Sequence, residues 1–313
     1  NVTLCVMDNQ RQFLVVGSQR MADETITIIG CGYTGSRLAK MCRESQQDVH
    51  AIVRSEAARK ALEAEGFRTS LVDLDSSFEP LPLSGGFHVY MVPPPSSGDT
   101  DPRILRWLDS LDSPPKGIVY LSTTAVYGDR GGATVSEDTE PAPSSDRGRR
   151  RLAAETSVRQ YAARNGVYAR ILRVPGIYGP DRLPLARISE RQPIPKPGDT
   201  GPGNRIHVDD LAAVCLAAIR YRGALEVFNV GDGEHASMGD YFLRVARIAG
   251  LENPPQLPLD ELLRNVSPAM RSFLTESRRV DVSRMEHELG FVPRYRDLDE
   301  GIAASLGERR AAN

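Results

Sequence analysis

The chain has 313 residues, with 39 lysines and arginines against 41 aspartates and glutamates, a formal net charge of −2 and 26% charged residues. That length suits one large α/β domain with a smaller lobe, and the even charge balance excludes a nucleic-acid-binding field. No apolar run reaches the roughly 18 residues of a membrane span, so neither nucleic acid nor a membrane is an expected partner.

Residues 1–24 read as a peripheral leader, because their apolar stretches are short and are interrupted by Asp8 and Arg11. Ile26–Ile29 is an apolar run of the kind a buried parallel strand needs. It leads into Gly30-Cys31-Gly32-Tyr33-Thr34-Gly35, after which helical periodicity continues over Ser36–Cys42. In this G-x-G-x-x-G pattern Gly30 permits the tight turn and Gly32 lets the backbone approach a pyrophosphate. Gly35 lets the helix lie close on the sheet, so Gly30, Gly32, Tyr33, Thr34 and Gly35 form a candidate dinucleotide-phosphate loop.

Val49–Val53 is a second strand, Glu56–Glu65 a helix, and Phe67–Val72 and Phe87–Val92 are two more strands, the last ending in Pro93-Pro94-Pro95. A helix over about Pro102–Leu111, a strand over Gly117–Leu121, a long helix over Arg149–Asn165 and a strand over Val167–Leu172 continue the alternation. This order predicts an α/β fold with a doubly wound parallel sheet and right-handed crossovers. Pro180–Gly203, rich in proline and arginine, reads as a loop or lobe insertion. Asp209–Arg220 reads as an amphipathic helix with Asp209 or Asp210 near its cap, and Val227–Val230 as a further strand. On this reading residues 25–180 with 204–232 form the dinucleotide-binding domain, and 181–203 with 233–313 form a smaller, mostly helical substrate lobe. The four cysteines, Cys5, Cys31, Cys42 and Cys215, show no paired or metal-ligand spacing and read as free thiols of a reducing cytoplasm, with no metal site.

An NAD site usually places an acid at the end of the second strand, where it takes the ribose hydroxyls. Here that position reads Val53-Arg54-Ser55. Arg54 suits a bidentate contact with a 2′-phosphate, with Arg37 as a helper, so NADP(H) is expected ahead of NAD(H). Glu56, 21 residues after Gly35, is the competing acid. It is read here as a first-turn helix residue behind a Ser55 cap.

Further segments follow in order: LSTTAVYG at Leu121–Gly128, RVPGIYGP at Arg173–Pro180, NRIHVDDL at Asn204–Leu211 and FNVG at Phe228–Gly231. Together with the glycine loop they make the stretch from about Thr25 to Leu306 resemble the extended short-chain dehydrogenase/reductase superfamily of the NAD-dependent epimerase/dehydratase type. The resemblance implies a Rossmann domain with a nicotinamide cofactor across the strand C-termini and substrate beneath the small lobe. It also implies that Asp73 holds the adenine amino group, that Pro93 lines the cofactor, and that a homodimer pairs through the long helix. The loop departs from the family pattern, which has a glycine where this chain has Ile29.

Members of that superfamily use a Ser/Thr beside the substrate oxygen and a Tyr-x-x-x-Lys pair on the following helix. Thr123, four residues before Tyr127, matches the Ser/Thr, the alternative being a threonine that packs under the loop. Leu152–Glu155 matches the run after the lysine, which puts Arg147 at the tyrosine position and Arg151 at the lysine position. No tyrosine in the chain is followed four residues later by lysine, which points to an atypical branch without the dyad. The chain has four lysines and 35 arginines, so the exchange at 151 is in part compositional.

Arginine does not shuttle protons near neutral pH. Arg151 suits ribose hydroxyls, and Arg147 suits an anionic group or an oxyanion. Arg149 and Arg150 read as solvated. Tyr127 and Tyr178 are either replacement acids or structural phenols, and His207 fixes a loop. Arg264, Arg271, Arg278 and Arg279 are either contacts to substrate phosphates or surface charges. The expected protein is a cytoplasmic, NADP(H)-binding oxidoreductase of epimerase/dehydratase type acting on a small polar substrate, anionic or nucleotide-linked. Its rival is a non-catalytic NADP(H) sensor or scaffold.

Overall fold

A computed structural model of the chain describes residues 24–81, 83, 85–224, 226–264, 266, 271 and 274–312. Residues 1–23 of the expected leader, with Cys5, lie outside the described residues. The central sheet has seven strands: β1 (Ile26–Ile29), β2 (Val49–Val53), β3 (Arg68–Leu71), β4 (Phe87–Tyr90), β5 (Gly117–Thr123), β6 (Tyr168–Val174) and β7 (Val227–Asn229). Every neighbouring pair is parallel and the order is β7-β6-β5-β4-β1-β2-β3. This is the doubly wound fold expected from the alternation. The strand order reverses between β1 and β4, leaving a crevice over the C-terminal strand ends. β1, β2 and β4 are buried along their whole length, as predominantly apolar strands of a parallel sheet are, whereas β3 (RTSL) is an exposed edge.

Helices α1 (Tyr33–Glu44), α2 (Glu56–Ala64), α3 (Pro102–Asp109), α4 (Asp146–Asn165) and α5 (Val208–Arg220) connect the strands. α1 and α5 bury Leu38, Ala39, Leu211 and Cys215 in one apolar cluster, while α3 and α4 bury Trp107, Leu108, Ala154 and Val158 in a second. A third cluster gathers Tyr178, Ile188 and Ile194 with residues of α6 (Met238–Ala249) and α7 (Leu298–Ala312). Pro180–Gly203 is not all loop: it holds a short helix, Leu185–Ser189, and Ile194–Pro195, which pairs with Gln256–Leu257. α4 starts three residues before its expected first residue, because the Ser145 hydroxyl caps it by accepting from the Gly148 amide at 3.3 Å. Among the described residues no helix is long and apolar enough to cross a membrane, and no group of three or more His, Cys, Asp or Glu is placed to hold a metal ion.

One core residue carries a stability cost. His88 on β4 is 1% exposed, lies 5.7 Å from the Trp107 ring, and has no partner at either ring nitrogen among the described residues. Burial, with His50 adding to it, lowers its pKa to about 4 from 6.5. The folded state therefore binds this proton less well than the unfolded chain. The stability that depends on a neutral His88 is complete above pH 6.5 and is withdrawn as the pH falls toward 4. His88→Leu should raise the unfolding free energy by about 1–3 kcal/mol at pH 7, since a buried unpaired polar group is removed. The gain over wild type should widen at pH 5. Urea melts at the two pH values check this, and a gain that does not grow on acidification overturns it.

Candidate functional site

Three strand ends build the phosphate side of the crevice. Gly30 leaves β1 with φ +85°, and a Cβ there would stand 2.7 Å from Val92 Cγ2 and 3.1 Å from the Val92 nitrogen. Gly35 lets α1 rest on β1: a Cβ on it would meet Ile28 Cγ2 at 3.1 Å and the Gly30 carbonyl at 3.3 Å. Gly32 caps α1 with no side chain. There is no acid in the first turn, and the nearest atom to a Cβ built on Gly32 is the Gly30 oxygen at 4.0 Å. The first amides of α1, which by helix geometry have no intrahelical partner, stand at the positive end of the dipole behind an exposed Gly32. Thr34 is buried. The Tyr33 side chain turns away from the loop: its hydroxyl donates to the Pro180 carbonyl at 2.6 Å, and the Arg182 guanidinium lies 4.1 Å from its ring.

At the ends of β2, β3 and β4 the chain places Arg54, Asp73 and Pro93. The Arg54 side chain is 70% exposed and only 3.8 Å from Asp75 Oδ2. Ser55 caps α2 by accepting from the Ala58 amide at 3.2 Å, and Glu56 pairs with Arg59 at 2.6 Å, so Glu56 is the first-turn residue expected. The Asp73 carboxylate is exposed and accepts from the Asp75 amide at 3.0 Å. Arg103 links the three: it donates to both Asp75 oxygens at 2.6 Å and to the Pro93 carbonyl at 2.8 Å. No sequence signal singles this residue out, because its partners lie 28 and 10 residues away. Arg37 corrects an expectation. It pairs with Asp209 at 2.8 Å and Glu308 at 2.6 Å, so its guanidinium is engaged in tying α1 to α5 and α7.

A second group of candidate residues lies at the junction of β5 and α4. Thr123 ends β5 half-buried, and its Oγ1 accepts from the Ala125 amide at 3.3 Å, which leaves its own O–H proton to donate. Gly148 seats α4 against the same turn, where a Cβ would come within 2.7 Å of the Ala125 carbonyl. Arg151 reaches back to β5, donating from Nη1 to the Leu121 carbonyl at 2.6 Å and to the Tyr120 hydroxyl at 3.3 Å. Arg147 stands one turn earlier on the same helix face. Of its neighbours, Arg149 pairs with Asp146 at the surface. Arg150 is not solvated as expected: it is 6% exposed and donates to the Gly98 carbonyl at 2.8 Å.

Tyr127 and Tyr178 are packed into the walls. Tyr127 is fully buried and donates to Asn229 Oδ1 at 2.7 Å, with the Arg173 guanidinium 4.8 Å from its ring. Tyr178 is 2% exposed, and its hydroxyl lies 2.0 Å from where a Cβ on Gly301 would stand. Burial raises the pKa of both phenols. Behind them Glu155 and Arg173 form an ion pair with 2.8 Å and 3.1 Å contacts, and the Ser122 hydroxyl donates to Glu155 at 2.5 Å. Glu155 stood in the matched Leu152–Glu155 run and Arg173 opened the RVPGIYGP segment, so both were visible in the sequence without their pairing being so.

His207, not Asp209 or Asp210, caps α5. Its Nδ1 accepts from the Asp209 amide at 3.2 Å, so Nε2 carries the proton and donates to Ser305 Oγ at 3.1 Å. Burial first, then Arg37, lowers its pKa to about 4 and keeps it neutral, in keeping with a loop-fixing residue. Asp210 instead accepts from the Arg294 and Tyr295 amides at 2.9 Å each.

The sequence profile of the NAD dependent epimerase/dehydratase family matches residues 102–231. Among solved structures, a functionally unknown conserved protein from Silicibacter pomeroyi DSS is 31% identical, with 91% of this chain and 99% of that one covered and a TM-score of 0.79. UDP-glucuronic acid 4-epimerase from Bacillus cereus, solved in complex with NAD, is 21% identical with a TM-score of 0.72 over 92% and 99% of the two chains, a likeness of fold. Among curated proteins, the uncharacterized protein y4nG of Sinorhizobium fredii is 29% identical over 197 residues, 56% of this chain. That match spans only 49% of y4nG, about half its length. UDP-glucose 4-epimerase of Corynebacterium glutamicum is 25% identical, with 90% of this chain and 96% of that protein covered.

Proposed function

We propose that this chain, which belongs to the NAD-dependent epimerase/dehydratase family, binds NADP(H) and performs oxidoreductase chemistry of the epimerase or dehydratase type on a nucleotide-linked small molecule. The observation that carries the reading is the start of α1, with its side-chain-free cap, its first turn without an acid and the open space before Gly32. A pyrophosphate fits there, because unpaired amides and the helix dipole both favour an anion and no carboxylate competes. The dinucleotide, when bound, supplies or accepts a hydride.

The chain's own residues do the rest. The backbone of Gly30, Gly32, Tyr33, Thr34 and Gly35 holds the pyrophosphate, Arg54 receives the 2′-phosphate, Asp73 takes the adenine amino group and Pro93 lines the base. Arg151 keeps guanidinium N–H groups beyond its bond to Leu121 for the nicotinamide ribose. Thr123 donates its free O–H to the reacting oxygen of the substrate. Tyr127 is a wall that fixes the turn following Thr123. Neither Arg147 nor Arg151 gives up a proton near neutral pH, so neither is the proton donor of the reaction. The names of the relatives that act on UDP-sugars support a nucleotide-linked substrate.

Gly32→Val tests the assigned phosphate loop. The space around Gly32 is open, so a side chain there meets no clash. Its backbone angles of φ −99° and ψ −139° suit a glycine better than a side-chain-bearing residue, and a modest stability cost is expected. The isopropyl group occupies the place of the pyrophosphate. Dinucleotide affinity should fall at least about tenfold, roughly 1.4 kcal/mol, in a chain that still melts as a folded protein. Retained affinity for NADPH and NADH in titration calorimetry overturns the assigned site.

A further inference from the structure

The segment that follows β3 is pinned from α3. Asp73 first folds it into a turn: its carboxylate accepts from the Asp75 amide at 3.0 Å, and its carbonyl accepts from the Ser76 amide and hydroxyl at 3.2 Å each. Two arginines one turn apart on α3 then grip it, Arg106 through the Leu74 carbonyl and Arg103 through the Asp75 carboxylate. The Arg103 contact is a fork: Nε donates to Oδ1 and Nη2 to Oδ2, both at 2.6 Å, while Nη1 donates to the Pro93 carbonyl at 2.8 Å. All three nitrogens of this guanidinium are used, and the side chain is only 15% exposed.

Arg54 approaches the same Asp75 Oδ2, but only to 3.8 Å, and is 70% exposed. One carboxylate is thus within reach of two guanidiniums and is taken by the more enclosed one. A planar fork on an ordered arginine prevails over a single contact from a solvated one, because it makes two charge-assisted bonds and loses less side-chain freedom for each. The Arg103 bonds hold the Asp75 carboxyl below the usual carboxylate range, with Arg54 a lesser influence.

We propose that Arg103 is a specificity-determining positioning residue: by occupying both oxygens of Asp75 it keeps that carboxylate off Arg54, whose guanidinium is thereby left to receive the 2′-phosphate. This rests on the NADP(H) reading above and deepens it, since it names what keeps the phosphate-reading arginine available. Arg103 acts through Asp75 and not on the dinucleotide. Released from Arg103, Asp75 has Arg54 as its remaining ion-pair partner among the described residues.

Titration calorimetry of the full chain with NADPH and NADH tests this. Arg103→Met keeps an aliphatic stem and removes the fork. It should raise the dissociation constant of NADPH about tenfold and that of NADH by less than about threefold. Adding Asp75→Asn to Arg103→Met should return NADPH affinity to that of Asp75→Asn alone, since no carboxylate remains to capture Arg54. Arg103→Lys, a point charge without the fork, should recover only part of the loss. A purely structural role, exerted through the Pro93 bond, would weaken both nucleotides alike and would not be rescued by Asp75→Asn. Either of those results overturns the proposal, and so does an unchanged NADPH affinity in Arg103→Met. Should wild type fail to prefer NADPH, the NADP(H) reading fails by itself, and Arg103 is judged without ligand by carbon-13 titration of the Asp75 carboxyl. Arg54→Gln should then raise its midpoint more in the Arg103→Met background than in wild type. Equal shifts in the two backgrounds overturn the clamp.

Discussion

Glu155→Leu should lower the unfolding free energy by about 3–5 kcal/mol, the effect of stripping one partner from a buried ion pair. Glu155 is 0% and Arg173 2% exposed, and two short contacts join them between α4 and β6. Burial opposes the charge on Arg173, and the bonds from Glu155 more than compensate, so its pKa is raised. Without Glu155 the guanidinium remains in the dry wall with the Tyr127 ring as its neighbour, and Ser122 loses its acceptor. The damage then reaches the site, because Ser122 immediately precedes Thr123. Replacing both partners, as Glu155→Leu with Arg173→Met, should recover most of the loss, since no orphan charge is left. Urea titrations of the single and double variants decide the matter. A single substitution costing under about 1 kcal/mol, as for a surface pair, would mean that water reaches the guanidinium.

That network shows what a sequence read on its own can and cannot supply. The strands were legible because burial on both faces favours predominantly apolar runs: Val49–Val53 coincides with β2, and Ile26–Ile29 with β1. The turn after β1 was legible because its glycines stand at fixed spacings, and a Cβ would clash at Gly30 and crowd its neighbours at Gly35. Ser55 announced the α2 cap locally. Pairings across the chain were not legible. Arg150, one of four arginines in five residues, gave no sign of being the buried one. Arg37 looked available to a nucleotide until Asp209 and Glu308, 172 and 271 residues away, claimed it. Cap chemistry misled at α5 because Asp209 and Asp210 are the usual capping types, whereas His207 fills that role with a ring nitrogen and leaves the two carboxylates to tie α1 and the 294–295 segment. The misses at Arg37 and Arg150 involve a polar side chain whose partner is distant in sequence, where neither periodicity nor local propensity carries information.

Cofactor choice yields the second large effect. Arg54→Glu should raise the dissociation constant for NADPH about 100-fold while changing that for NADH less than about threefold. Losing hydrogen bonds to a charged group costs about 1.5–3 kcal/mol, and the introduced carboxylate adds repulsion toward the 2′-phosphate. Each 1.4 kcal/mol is roughly tenfold in affinity. Arg54 is disposed for that contact. Its only ion pair among the described residues is the 3.8 Å approach to Asp75, and Asp75 is already held by Arg103 at 2.6 Å through both oxygens. A 2′-phosphate therefore displaces little when it recruits Arg54. Because that side chain is 70% exposed, the discrimination should shrink as salt rises from 50 to 500 mM. Asp75 provides the counter-experiment, as the acid that approaches Arg54 at 3.8 Å. Asp75→Asn removes a negative charge facing the phosphate and should tighten NADPH. If Asp75→Asn instead weakens NADH and Arg54→Glu affects both nucleotides alike, Asp75 is the ribose ligand, the cofactor is NAD(H), and Arg54 is a surface arginine that happens to lie near it.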